Sequence, residues 1–424
     1  MSSPERRLET LRQEYKAPTR EMMPLRSLTP VLPHLPIMAF AYNNWNGPWM
    51  NRQHILSRMA QRGWQVQYSN GRVNHWAGLK KLITNTPFLP TCAQADGVIQ
   101  DYPSLSQISI PTLPLLDHHT LKWHAQSLKR RAGPSPIAYL FHPDFSNYID
   151  HLDAKYVVLH IYDAYHATPN WRSSKQYLLE QCAERANLVI ATSEHMLNTL
   201  PGHLASKAHI VNNGADSLAF YNGKLAEEPK DLSPIKGIKI GCSGVFGPKI
   251  DFKLLRNLAQ RHSDWDIVLI GPFIRGARKP ADAFKRHIQE WDELLAQPNI
   301  HWLGEKHTRE LPAYVARMDV NLMPYKVAQR EARWTRFGYP LKLHEYLSAG
   351  APIVSAELPT LRPFSDVLSF AATTDEWSEQ ISSALKTKNS EMAAQRQELG
   401  LKNSWDHRVD QIEKLLLQMI NPSA

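Results

Sequence analysis

A chain of 424 residues, 43% apolar and 21% charged, has room for two or three domains of roughly 100–200 residues each and is too apolar to be disordered. No run approaches the roughly 18–20 apolar residues of a membrane-spanning helix, and the charged opening MSSPERRLETLRQEYK lacks the apolar core of a secretory signal. The three scattered cysteines, Cys92, Cys182 and Cys242, make no disulfide framework or cysteine zinc site and fit a cytoplasmic chain; the net charge of +9 favours nucleic acid, a phosphate-bearing substrate or an acidic membrane surface.

Along the chain, short apolar runs alternate with longer amphipathic ones, and no fixed period is present, which excludes solenoids and propellers. Pro36–Ala41 reads as a strand, Met50–Gln61 as a helix stopped by Gly63, and Trp64–Tyr68 as a second strand. Gly97–Gln100, Ile137–Phe141, Tyr156–His160 and Leu188–Ala191 follow as strands, with helical stretches between several of them. This βαβ rhythm predicts a mostly parallel sheet covered on both faces. It breaks at 221–236 (YNGKLAEEPKDLSPIK), whose charges and two prolines read as a linker. It restarts with strands at Ile238–Cys242, Asp266–Ile270, Ile300–Leu303, Val320–Met323 and Pro352–Val354, and helices at Asp251–Gln260, about 307–317 and 341–349. Val409, Ile412, Leu415, Leu416 and Met419 recur at helical spacing, so about 404–420 is an amphipathic helix. The expectation is α/β, with two doubly wound domains at 1–222 and 237–424 and a last helix free to pack back on the first. Ligands of such sheets sit beyond the carboxyl ends of the strands, which puts the site in the cleft between the domains.

Gly338–Ser355 (GYPLKLHEYLSAGAPIVS) is the richest segment chemically. Pro340 suits the first helical position, Gly350 the stop, and Pro352 blocks continuation. The free N–H groups of Leu341, Lys342 and Leu343, the helix dipole and the Lys342 ammonium would together hold a phosphate. Glu345, one turn on, can accept two hydrogen bonds from a ribose diol. The same residues also fit a capped helix with a solvated Lys and Glu. Gly241–Asp251 (GCSGVFGPKID) lies between a strand and a helix, and its glycines at 241, 244 and 247 would admit a phosphate close to the backbone. Pro324–Pro340 interleaves Lys326, Arg330, Arg333 and Arg336 with Trp334 and Phe337. It reads as a nucleic-acid stripe or as a loop over a sugar diphosphate, and its place after a strand favours the loop. Asp117, His118 and His119 are adjacent and point apart, so no metal site is expected there.

The run P-L-K-L-x-E-Y-L-x-A-G-x-P-I-V-S at 340–355 resembles the nucleotide-binding segment of GT-B glycosyltransferases, especially family 4 and its relatives. The resemblance implies two Rossmann-like domains facing a central cleft, with Glu345 on the donor ribose and the turn at Leu341–Leu343 on the diphosphate. The family's second Glu, eight positions upstream, is Phe337 here. The family's glycine-loop Arg is replaced by Gly244, and Lys249 best matches the basic residue that contacts donor phosphates. Val211–Phe220 (VNNGADSLAF) resembles an N-G-x-D-x-x-x-F element closing the N-terminal domain, where Asn213 and Gly214 also suit a turn by their own chemistry. Glu180–Ser193 resembles a helix–strand unit ending near the acceptor, and Ser193 equally suits a helix N-cap.

Asn43–His54 (NNWNGPWMNRQH) resembles, one residue short, a W-x-N-R-x-Q-H element of bacterial cell-surface polysaccharide transferases, including those of teichuronic-acid type. By that resemblance Trp45 and Trp49 would stack on acceptor sugars and Arg52 would meet an anionic acceptor; core packing and helix surface are the alternatives. Asp163 matches one acid of a Y-D-x-x-D-D-like strand end in the same relatives, with His160 and Ala164 replacing two others. A strand-end carboxylate there is a general-base or acceptor-orienting candidate, beside a plain capping role.

The resemblance implies a metal-independent, retaining glycosyltransferase of cell-surface polysaccharide biosynthesis, with Asp163, Lys249 and Lys342 as catalytic groups. Its donor would be a nucleotide-diphosphate sugar, as substrate and not cofactor, and its acceptor a glycan or lipid-linked glycan. Nucleic acid becomes the least favoured partner, because Lys249, Lys326 and Lys342 fall at strand ends and not in one basic run. A nucleotide-sugar 2-epimerase-like isomerase and a non-catalytic nucleotide- or nucleic-acid-binding protein are the alternatives. Peripheral contact with the inner face of the membrane stays open; Arg6, Arg7, Arg12, Lys16 and Arg20 are offset by Glu5, Glu9, Glu14 and Glu21.

Overall fold

The computed structural model describes residues 35–74, 89–102, 104–167, 171–198, 200–275, 282–327, 333–387 and 389–422. Contacts divide them into two compact units: an N-terminal unit that runs to Asn212 and takes up the chain again at Arg408, and a C-terminal unit, Asn213–His407.

The strands of the main N-terminal sheet are β1 (Ile37–Phe40), β2 (Val66–Ser69), β3 (Thr91–Ala95), β4 (Val98–Tyr102), β5 (Ile137–Leu140), β6 (Tyr156–Ile161), β7 (Leu188–Ala191) and β8 (Ala208–Ile210). They lie in the order β8-β7-β6-β5-β1-β2-β4-β3. All neighbours are parallel except β3 and β4. β1 (IMAF), β5 (IAYL) and β7 (LVIA) are apolar and buried throughout, as strands covered on both faces must be. The order reverses between β1 and β5: earlier strands extend to one side and later ones to the other. β3 departs from the expected elements. Its TCAQA is small, polar and largely exposed, and it is an edge strand held by a tight turn at Asp96 and Gly97, with φ of 53° and 79°.

Among its described residues the C-terminal unit has six parallel strands: β9 (Ile238–Ser243), β10 (Trp265–Ile270), β11 (Ile300–Trp302), β12 (Val320–Met323), β13 (Ile353–Ser355) and β14 (Ser369–Phe370), in the order β11-β10-β9-β12-β13-β14. Its reversal falls between β9 and β12. The helix after β9 is Phe252–Arg261, capped by Asp251, whose carboxylate accepts from Leu254 N–H at 3.0 Å.

The segment 221–236 is a packed part of this unit and not an open linker. Leu232 and Ile235 are buried against Val268, Ile270, Tyr314 and Met318. Arg317 Nη1 donates to Gly223 C=O at 2.9 Å, and Lys306 pairs with Asp231 at 2.6 Å. The unit therefore begins near Asn213 and not near 237. Its first residues are stitched to its last: Ala215 N–H donates to Asn403 C=O at 3.2 Å, Trp405 N–H to Ala215 C=O at 2.9 Å, and Ser217 Oγ to Gly400 C=O at 2.6 Å.

The helix Trp405–Ile420 passes out of that unit, and from Arg408 it belongs to the N-terminal one. There Trp64 Nε1 donates to Glu413 at 2.9 Å and Arg62 pairs with Glu413 at 2.5 Å. Among the described residues no helix is long and apolar enough to cross a membrane.

Candidate functional site

In the C-terminal unit the candidate site lies at the carboxyl ends of β9 and β12, where the strand order reverses and doubly wound sheets bind ligands. The helix Lys342–Ala349 is held there from several sides. The Tyr346 hydroxyl, on a fully buried ring, accepts from Ser243 N–H at 2.8 Å and so ties the helix to the end of β9. Asn213 Nδ2 donates to Tyr339 C=O at 2.8 Å, and Thr360 Oγ1 to Gly338 C=O at 2.7 Å, fixing the chain as it enters the helix. Gly400 lets the helix Ser390–Lys402 press against it: a Cβ there would lie 2.3 Å from Ser348 Oγ.

The helix starts later than expected. Leu341 is the cap residue, Pro340 stands outside, and Leu343 N–H closes on Pro340 C=O at 3.3 Å. Leu343 is thus not a free donor, and its side chain belongs to the core. Of the three N–H groups expected to face an anion, those of Leu341 and Lys342 remain as candidates.

The Lys342 Nζ sits 5.3 Å from the centroid of the Tyr325 ring. It lies against Gly244, where a Cβ would come within 3.2 Å of it. Gly244 has φ of +113°, which L side chains rarely adopt, so this position needs glycine for conformation and for room. Burial works against the Lys342 charge, but Tyr325, Cys242, Tyr346 and Glu345 outweigh it and hold the ammonium above its ordinary range. Glu345 is half-buried, and its carboxyl is pushed up to about 7, chiefly by burial, with Asp216 adding to the shift and Lys342 opposing it. Asp216 therefore belongs to the same site. The sequence singles out its neighbours Asn213 and Gly214; the signal for Asp216 was the acid of N-G-x-D.

The structure thus brings together Gly244, Leu341, Lys342, Leu343 and Glu345. Lys249 lies at the far end of the same loop, half-buried. Its C=O accepts from Lys326 N–H at 2.9 Å, and its neighbour Ile250 bridges to Tyr325. Lys326, expected beside a diphosphate, instead pairs with Glu290 at 2.9 Å. Arg330 and the side chains of Arg333 and Trp334 lie outside the described residues.

In the N-terminal unit two expectations change. Trp45 is 3% exposed, its indole N–H donates to Asp96 at 3.2 Å, and it meets Tyr68 edge-on at 5.1 Å, so it is a core ring and not a sugar platform. Arg52 is also 3% exposed; its guanidinium lies 4.5 Å from the Tyr162 ring centroid and binds the Asn43 side chain, which removes it from an anionic acceptor. Trp49 stays half-buried, edge-on to His54 at 5.0 Å. Ser193 occupies a cap position without a side-chain cap bond. Asp117 is clamped by Arg72 at 2.9 Å and by Ile110 N–H at 2.7 Å, while His118 faces the His151 ring at 5.2 Å.

Asp163 lines a cavity of about 220 Å³ with Tyr42, His142, Tyr162, Tyr165, Trp171 and Lys175. These residues follow β1, β5 and β6, so the cavity stands at the reversal point of its sheet. Asp163 Oδ1 also accepts from Ala164 N–H at 2.9 Å.

Comparison with known proteins bears on the family and the fold. The family described as Glycosyl transferases group 1 matches residues 249–386. A Bacillus subtilis (strain 168) protein, TuaH, named for a teichuronic acid biosynthesis glycosyltransferase, is 31% identical over 180 residues, which span 42% of this chain and 42% of that relative. Among solved structures, HepE of Anabaena in complex with UDP and glucose is similar over 90% of this chain and 99% of its own, with a TM-score of 0.63 and 14% identity. Sucrose-phosphate synthase from Thermosynechococcus elongatus is similar over 92% of this chain and 100% of its own, with a TM-score of 0.68 and 12% identity. The match to the group 1 glycosyl transferases thus falls on residues 249–386, on a chain with the GT-B fold.

Proposed function

We propose that the protein transfers a glycosyl group from a nucleotide-diphosphate sugar to a glycan or lipid-linked acceptor in cell-surface polysaccharide synthesis. The observation that carries this reading is the Lys342 ammonium against Gly244 at the reversal of the C-terminal sheet, with Glu345 one turn further along the helix. A leaving diphosphate accumulates negative charge as its bond to the sugar breaks. Lys342 and the N–H groups of Leu341 and Lys342 supply fixed positive charge there, in place before the reaction. Lys249 adds a second cation from the loop that carries Gly244, and Glu345 receives the ribose hydroxyls. Asp163 orients the acceptor hydroxyl or takes its proton. Retention follows if the acceptor attacks from the face the diphosphate leaves, with the departing phosphate helping to remove the proton. HepE in complex with UDP and glucose supports a uridine donor, and the B. subtilis relative's name supports a polysaccharide acceptor.

A thermal-shift panel of UDP-, GDP-, dTDP- and CMP-sugars tests the reading. One donor should raise the melting temperature, and its nucleoside diphosphate should be released faster once an acceptor is added. A flat panel removes the proposal. Conversion of the nucleotide sugar with no acceptor present would make the protein an isomerase.

A further inference from the structure

The helix Pro114–Ala132 of the N-terminal unit has polar anchors inside and large apolar side chains outside, unlike an ordinary surface helix. Its inner face carries Asp117, Thr120 and His124 beside Leu121, Ala125 and Leu128. Asp117 pairs with Arg72 at 2.9 Å and accepts from Ile110 N–H at 2.7 Å, and Thr120 Oγ1 donates to Ile108 C=O at 2.9 Å. The buried His124 ring bridges the Asp101 carboxylate and the Tyr148 hydroxyl, at 2.7 Å from each. These bonds fix the rotation of the helix. Leu115, Leu116 and Trp123 are therefore held outward, 81%, 44% and 40% exposed, and Leu113, just before the helix, is 54% exposed. Lys122 and Arg130 are exposed beside them, and these five helix residues fall within about a third of the circumference. Asp117 is the one acid in the helix, and Arg72 takes it up. Lys129, at the edge of this face, pairs with Asp153.

We infer that this face docks on an anionic lipid bilayer, with the helix lying along the membrane surface. Exposed leucines scattered singly mean little, but apolar side chains gathered on one helix face mark an interaction surface. Charge selects the occupant. The face carries basic groups and no acid of its own helix, so it complements anionic head groups and repels a second copy of itself. Chemistry narrows the choice further. Nucleic acid would take Lys122 and Arg130 but leave Leu113, Leu115 and Leu116 in water. A bilayer accommodates both sets: the leucines enter the boundary of the acyl chains, Trp123 stands at head-group depth, and Lys122 and Arg130 reach the lipid phosphates. The docking is independent of the glycosyl-transfer reading. It also lies apart from the charged N-terminal segment, whose basic side chains are offset by acids.

Flotation of the full chain with lipid vesicles tests this. The protein should float with vesicles of about 70% phosphatidylcholine and 30% phosphatidylglycerol at roughly 0.1 M salt, and about tenfold less with phosphatidylcholine alone. Leu115→Ser/Leu116→Ser keeps every charge and should reduce binding about tenfold or more, the order of two lost apolar contacts with the bilayer. Trp123→Ser gives an independent reading of the same face. Lys122→Ala/Arg130→Ala should cost about tenfold as well. Lys224→Ala/Lys253→Ala removes the same charge from exposed positions elsewhere and should leave binding within about twofold. All these side chains are exposed, so each variant should melt with the parent. The proposal is overturned if the chain ignores anionic vesicles, if the leucine and tryptophan variants bind them like the parent, or if the control pair costs as much as Lys122→Ala/Arg130→Ala. Dimers in sedimentation velocity that the leucine variant abolishes, with vesicle binding unchanged, would also overturn it and give the face to a second copy. A thermal shift by a nucleotide sugar, equal across the variants, keeps the result separate from the glycosyl-transfer reading.

Discussion

At Glu345 burial and charge pull in opposite directions, and burial prevails: the carboxyl titrates near 7 and not near its ordinary 4.5. The unfolded chain gives up that proton at about 4.5, so between the two values the folded protein holds a proton the unfolded one has lost. Stability therefore falls as pH rises through this window, by up to about 3 kcal/mol for a shift of this size. Glu345→Gln removes the ionisation and should raise the melting temperature at pH 8 while changing it little at pH 5. Scanning calorimetry at the two pH values decides it; an equal change at both would mean the carboxyl titrates normally. Lys342 supplies the opposite charge. Lys342→Ala should weaken a nucleoside diphosphate by roughly 10- to 100-fold, the size of a lost charged hydrogen bond, and the matching nucleoside far less. Titration calorimetry with both ligands checks this, and equal losses would move the diphosphate away from Lys342.

The helix Lys342–Ala349 shows how a site is built from packing. It is pressed from behind by the helix Ser390–Lys402 at Gly400, where any added carbon meets Ser348. Gly400→Ala should lower the melting temperature, with an overpacking cost of about 1–3 kcal/mol, and weaken diphosphate binding as the helix shifts. A variant that melts and binds like the parent would show that this contact yields freely. Much of the helix was legible in the sequence, because Pro340, Gly350 and Pro352 mark its ends by local backbone chemistry alone. Its start moved because Leu343 N–H turns back to Pro340 C=O, a choice made by the surrounding contacts. The segment 221–236 misled for a related reason. Its charged composition hides Leu232 and Ile235, two buried anchors that only the neighbouring strand and helix explain. Trp45 and Arg52 misled because a motif names residue types without saying which way they face. The aromatic cavity carries no local signal, since its members come from residues 42, 142, 162, 163, 165, 171 and 175.

At the scale of the molecule, both units follow one plan, a mostly parallel sheet whose order reverses once, with a candidate binding place at each reversal. The units differ in how the chain composes them. Val409, Ile412, Glu413 and Leu416 are buried in the N-terminal unit, although they come last in the sequence. Removing 408–424 should lower the melting temperature of that unit, strip Trp64 and Arg62 of their Glu413 partner, and leave nucleoside diphosphate binding in place. Calorimetry for the first effect and ligand titration for the second make the check; loss of both would mean that the two units do not fold separately. The same arrangement bears on synthesis. A ribosome delivers the N-terminal sheet first, yet its covering helix emerges only after the whole C-terminal unit has been made. The unit begun first is thus the one completed last. Until that helix has been made, the surface around Trp64 that it covers stays open to solvent, a state in which partly folded chains are prone to aggregate.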